Sequence, residues 1–134
     1  AVGVAGLAIL TSGLVFQQKV IGREPGQICW NQSWADQKRL GNALNGLGIA
    51  ADTVIMVNNP PGFFLTTGRP AVVIPYGNEE DMIRAARKYQ AKYVLLDENH
   101  VAAADALYDS PRSAQQLRYV MTIDGTHLFE VDGE

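Results

Sequence analysis

Apolar residues recur along this chain with two distinct periods. Leu40, Ala43, Leu44 and Leu47 follow one another at helical spacing, and Ser33 with Asp36 three residues on predicts a capping-box start for that helix, with Gly48 as its stop. Thr53 to Val57 (TVIMV), Ala71 to Tyr76 (AVVIPY) and Tyr93 to Asp97 (YVLLD) are short, largely β-branched or aliphatic runs of the kind buried on both faces of a parallel sheet. Pro75 belongs at a strand end, where no ladder hydrogen bond is lost. Between the second and third runs, Asn78 with Asp81 repeats the cap signal, and Met82, Ile83, Ala86 and Tyr89 form an apolar stripe. A further helix is expected over Val101 to Tyr108, stopping before Pro111. Leu117 to Ile123 and His127 to Val131 flank Asp124-Gly125, a strong two-residue hairpin signal.

Helices alternating with buried strands and closed by a hairpin predict an α/β fold: three layers, a mostly parallel sheet with helices on both faces, and a C-terminal antiparallel hairpin. The 134 residues, 47% apolar and 19% charged, describe an ordinary globular chain able to bury a core without staples. The single Cys29 forms no internal disulfide, has no cation or helix start beside it, and reads as a small buried apolar residue.

Charge changes the picture at the N-terminus. All 11 basic and 14 acidic residues lie from Lys19 onward, so Ala1 to Phe16 is an uncharged apolar run. A spanning helix needs about 20 such residues. The 16 present fit either the end of a transmembrane helix within residues 1–18 or a packed core helix, and the three glycines allow close packing in lipid. A start at Ala rather than Met is read as an excised piece, with residues 19–134 forming one soluble domain after the linker Gly22 to Gln27. Trp30 and Trp34 stand where interfacial aromatics are found, or are simply buried. The net charge of −3 and the lack of any Lys/Arg block argue against a nucleic-acid partner, and no zinc-type spacing or P-loop pattern is present, so no metal or cofactor is expected.

Ligands of open α/β sheets bind beyond the carboxyl ends of the strands. The loops there offer Asn58, Asn59, Phe63 and Phe64 after the first strand, Tyr76 after the second, and Asp97, Asn99 and His100 after the third. The run Asn58 to Phe64, continuing to Pro70, has two prolines that fix φ and remove donors. It reads as a stiff loop whose amides and rings suit a sugar-like ligand, or as a rigid connection whose phenylalanines cover the core. Asp97 with His100 resembles an acid beside a base, while Asn99 reads equally well as the N-cap of the next helix with His100 in its first turn. A phospho-receiver reading of YVLLD fails, because Asn58 and Asn59 stand where acidic magnesium ligands are needed. Asn31-Gln32-Ser33 matches the glycosylation tripeptide, a pattern too short to weigh against a capping role for Ser33. His127 alternates with Phe129 and Val131 as a partly covered strand residue. No catalytic residue is assigned.

Taken together, the apolar run ending at Phe16, Trp30 to Ser33, VIMVNNPPGFFLTTGRPAVVIPYGN (Val54 to Asn78), KYVLLDENH (Lys92 to His100) and the closing THLFEV resemble the soluble C-terminal part of membrane glycosyltransferases of the protein-mannosyltransferase-like superfamily. The resemblance implies a membrane portion that transfers sugar from a polyprenyl- or dolichyl-phosphate donor and carries the catalytic acids. This chain would then be a non-catalytic extracytoplasmic domain whose partners are that membrane portion and a glycan or lipid-linked sugar. Its roles would be covering the active site or helping to select the acceptor. Lys19 and Arg23 beside the apolar run point instead to the cytoplasmic side. The alternatives are a free-standing binding module for a sugar-like ligand, or an interaction domain anchored by Phe63 and Phe64.

Overall fold

The computed structural model describes residues 29–132, with backbone alone for 29–33. The chain divides into two units, residues 1–36 and 37–134. Of the first, only the opening of helix α1 (Cys29–Gly46) is described. The apolar run 1–16, Lys19, Arg23 and the linker at 22–27 lie outside the described residues. Among the described residues no helix is long and apolar enough to cross a membrane.

Helix α1 begins before Ser33, which corrects the expected capping box: Ser33 and Asp36 lie inside the helix. No Gly or Pro interrupts Cys29 to Ser33, so nothing in that stretch opposes the helical dihedrals. Its end is as expected. Gly48 takes φ 73°, and the N–H groups of Gly48 and Ile49 donate to the carbonyls of Asn45 and Leu44, the paired bonds of a Schellman stop.

After β1 (Ile55–Val57) the supposed stiff loop is a helix, α2 (Pro60–Thr67). Asn59 caps it by accepting from the Gly62 N–H, the prolines occupy its first positions where their missing donors cost nothing, and Gly68 ends it at φ 72°. The chain then forms β2 (Ala71–Val73) and α3 (Glu79–Tyr89), whose capping box of Asn78 and Asp81 is the expected one. Strand β3 (Tyr93–Leu96) follows. The helix expected over 101–108 is broken into a 3-10 turn, Ala102–Ala104, and a short α4 (Asp105–Asp109). Asn99 is not its cap, because the turn opens at Ala102 with Val101 in the cap position, two residues beyond Asn99. Strands β4 (Leu117–Ile123) and β5 (Thr126–Val131) meet at Asp124 and Gly125, with φ of 47° and 79°. Two positive φ values in a two-residue loop match the twist of the strands they join.

The five strands lie in the order β2-β1-β3-β5-β4. The first three are parallel, and β5 runs antiparallel to both β3 and β4. This is a small α/β unit with a mixed sheet, parallel on one side and closed by the hairpin on the other. Alternate strand residues enter two different cores. Ile55, Val57, Leu95 and Leu128 join Leu40 and Leu44 of α1 and Phe63 of α2. Met56, Val94, Leu96 and Phe129 join Met82, Ile83 and Ala86 of α3. A Cβ on Gly41 would lie 2.9 Å from the Thr67 side chain, so α1 and α2 meet at a glycine.

Two charged groups tie these elements together. Glu79, at the start of α3, accepts the backbone N–H groups of Gln115, Gln116 and Leu117 at 3.0, 2.7 and 3.0 Å, fixing the entry to β4. Arg69, only 2% exposed, donates to the carbonyls of Ala50 and Ile49 and to Asn45 Oδ1 at 2.7, 2.8 and 2.6 Å. These oxygens sit at the negative end of α1, where a cation is favoured. Arg69→Met would remove the donor of three hydrogen bonds at the end of α1, and a loss of about 1–3 kcal/mol is expected in chemical denaturation, the size usual for unpairing the acceptors of a charged donor. Arg69→Lys should recover part of that loss, since an ammonium keeps the charge but not the planar fork.

Candidate functional site

The carboxyl ends of β1 and β3 lie side by side because the two strands are parallel neighbours. Asn58 leaves β1 and Asp97 leaves β3, and the Asn58 Nδ2 group donates to Asp97 Oδ1 at 2.6 Å. The same oxygen accepts the Asn99 backbone N–H at 2.8 Å. One carboxylate oxygen thus closes the Asx-type turn after β3 and links it to β1.

His100 continues the cluster. Its Nδ1 lies 2.7 Å from the Asp97 carbonyl oxygen, which can only accept, so Nδ1 carries the proton. Nε2 lies 3.1 Å from Asp105 Oδ1. The largely buried ring stacks on Tyr108 with centroids 4.4 Å apart. Tyr108 donates its hydroxyl to the Gly125 carbonyl, and its ring lies tilted against His127 with centroids 4.7 Å apart. His127 Nδ1 lies 2.7 Å from Thr122 Oγ1, which is 2.8 Å from the Tyr119 hydroxyl. A continuous line of polar and aromatic groups therefore runs from Asn58 across the strand ends to the hairpin.

Of the residues singled out by sequence, Asn58, Asp97, Asn99 and His100 come together, Asn99 through its backbone. The others are placed elsewhere. Asn59 caps α2, Phe63 is buried in the core with Leu40 and Leu44, and Phe64 is 54% exposed on the outside of α2. Tyr76 is 89% exposed and lines a groove against α3. Thr122, Tyr108 and Tyr119 were not anticipated. The signal for Thr122 was available, because a two-residue loop at 124–125 sets Thr122 opposite His127.

The chemistry open to this cluster follows from how its groups are used. Nucleophilic catalysis needs a hydroxyl or thiol beside a base that a third group orients. The Thr122 and His127 pair supplies the first two. Neither nearby carboxylate orients His127: that of Asp97 accepts from Asn58 and Asn99, and that of Asp105 faces His100, whose other nitrogen meets the Asp97 backbone carbonyl. Among the described residues no group of three His, Cys, Asp or Glu side chains is placed to hold a metal ion.

No family model matches the chain, and no curated protein matches it. Among solved structures it is similar to the C-terminal globular domain of an oligosaccharyltransferase from Archaeoglobus fulgidus. The identity is 9% and the TM-score 0.48, over 81% of this chain and 100% of that one. A likeness of that size carries no argument about what this chain does.

Asp97→Ala is expected to cost about 1–3 kcal/mol of stability, since it removes the acceptor of two hydrogen bonds. Asn58→Ala should cost less. In the double variant the losses should fall short of additive by about 1 kcal/mol, a coupling that a double-mutant cycle in urea would read directly.

Proposed function

We propose that this chain is a non-catalytic accessory domain of a membrane glycosyltransferase that draws its sugar from a lipid-phosphate donor, placed on the extracytoplasmic side. The observation that carries the non-catalytic reading is the way the strand-end polar groups are spent. Asp97 accepts from Asn58 and Asn99, and His100 is held between Asp97 and Asp105. Side chains so engaged make a rigid support rather than a set of groups poised over substrate.

The glycosyltransferase reading is supported by the segments that resemble the protein-mannosyltransferase-like superfamily. Val54 to Asn78, Lys92 to His100 and Thr126 to Val131 supply β1, β2, β3 and β5, which are consecutive neighbours in one sheet. In this reading residues 1–18 are the end of a membrane helix, and residues 19–134 follow as a soluble α/β domain with helices on both faces of its sheet, in keeping with the two cores. Its partners are the membrane portion of its own polypeptide and a glycan or lipid-linked sugar, and its work is to cover the active site or to help select the acceptor.

A second reading, a binding module for a small sugar-like ligand, is favoured by the convergence of Asn58, Asp97, Asn99 and His100 at the strand ends. Both readings are tested by one series of assays. The 134-residue chain alone should not transfer sugar from a polyprenyl-phosphate donor, whereas the polypeptide with its membrane portion should. His100→Ala in that longer polypeptide should leave kcat within about threefold of the parent. A loss of about 100-fold or more, the contribution expected of a general acid or base, in a variant that still folds would overturn the proposal.

A further inference from the structure

We propose that the outer edge of β2 and the flank of α3 form a docking groove for an extended acidic segment of a partner protein, which joins the sheet as an added strand. The two ends of the sheet differ. At one end β4 is defended in the ways edge strands usually are. Arg118 pairs with Glu130, and an irregularity between Tyr119 and Met121 interrupts the ladder. At the other end β2 is Ala-Val-Val, without charge or bulge, and Val73 is 60% exposed.

The ladder shows which β2 groups are open. Ile55 donates to the Pro70 carbonyl and Ile74 to the Val57 carbonyl. In a parallel pair this directs the backbone of residues 70, 72 and 74 toward β1 and leaves the N–H and C=O of Ala71 and Val73 pointing outward. An extended chain laid along that edge meets two donors and two acceptors at strand spacing, which is how strand addition gains its affinity.

Beside the edge is a groove of about 430 Å³ whose walls include Val73, Tyr76, Arg84, Ala85, Lys88 and Tyr89. Tyr76 and Tyr89 are 89% and 51% exposed, so the groove offers apolar area to alternate side chains of an added strand. Arg84 and Lys88 point the choice of occupant toward acid. Arg84 is paired with Asp81 on the same helix, and Lys88 lies 5.3 Å above the Tyr89 ring, so the α3 wall of the groove carries two cations and one carboxylate, a surplus of positive charge. A lysine-rich strand would meet like charge on the same wall. None of this depends on the parent being a glycosyltransferase.

The test is a titration of the isotope-labelled 134-residue chain with a capped octapeptide of alternating valine and glutamate, followed through its amide resonances. The Ala71 and Val73 amides should shift saturably, and the valine–lysine counterpart should bind at least about tenfold more weakly. Val73→Pro removes an outward donor without touching the bonds to β1 and should abolish the shift at Ala71. If that variant fails to fold, Lys88→Glu at an exposed helix position serves instead, with affinity for the glutamate peptide falling about tenfold. The proposal is overturned if Ala71 and Val73 do not respond, or if the lysine peptide binds equally well. It is also overturned if the same amides shift with protein concentration alone, which would mean that a second copy takes the edge.

Discussion

One buried guanidinium sets the conditions under which the rest of the unit assembles. Arg69 brings a guanidinium into the interior, yet its partners are neutral oxygens, the carbonyls of Ile49 and Ala50 and the side chain of Asn45. Burying such a group is tolerable only if all of those oxygens arrive together. The end of α1, the turn at 49–50 and the approach to β2 must therefore adopt a single mutual arrangement. The very next residue, Pro70, supplies the carbonyl that receives the Ile55 N–H, so the parallel pairing of β1 with β2 starts where Arg69 is fixed. Packing of Leu44 against Ile55 and Phe63 follows from that placement.

The acidic residues work in a related way, with backbone amides as their partners. Glu79 gathers three consecutive N–H groups ahead of β4, Asp81 accepts from Asn78 at the head of α3, and Asp97 accepts from Asn99 beyond β3. Each fastens a loop at the point where it enters or leaves an element. The parallel part of the sheet, with strands of three and four residues, has little ladder of its own to hold it, and side-chain bonds to loop amides supply constraint that longer strands would provide through pairing.

Periodicity made much of this legible in advance. All five strands, the hairpin at Asp124-Gly125, the capping box at Asn78 and the stop at Gly48 are local signals, and the structure realises each. Helix α2 was obscured because two adjacent prolines read as loop, although Asn59, Pro60 and Gly68 are also the cap, first-turn residue and stop of a short helix. The start of α1 and the break near Ala104 turn on weak local preferences that tertiary contacts decide. Arg69 and Glu79 could not be foreseen, since their partners lie up to 38 residues away and nothing local marks them. At the strand ends, parallel pairing makes the meeting of Asn58 with Asp97 intelligible. What separates Phe63 from Phe64, and both from that cluster, is the helix that the prolines concealed.

The position of β5 has a consequence for biosynthesis. It is the last of the described strands in chain order, yet it lies between β3 and β4 and pairs with both. Until Val131 has been made, β4 has no place to attach and β3 presents an open side. The nascent chain must therefore keep Val94, Leu96 and their neighbours from mispairing until β5 is translated, and closure of the sheet follows the synthesis of all the other described strands. A premature stop codon only a few positions before the hairpin's end would remove an interior strand rather than a fringe, so the cell would be left with an open sheet instead of a shortened domain.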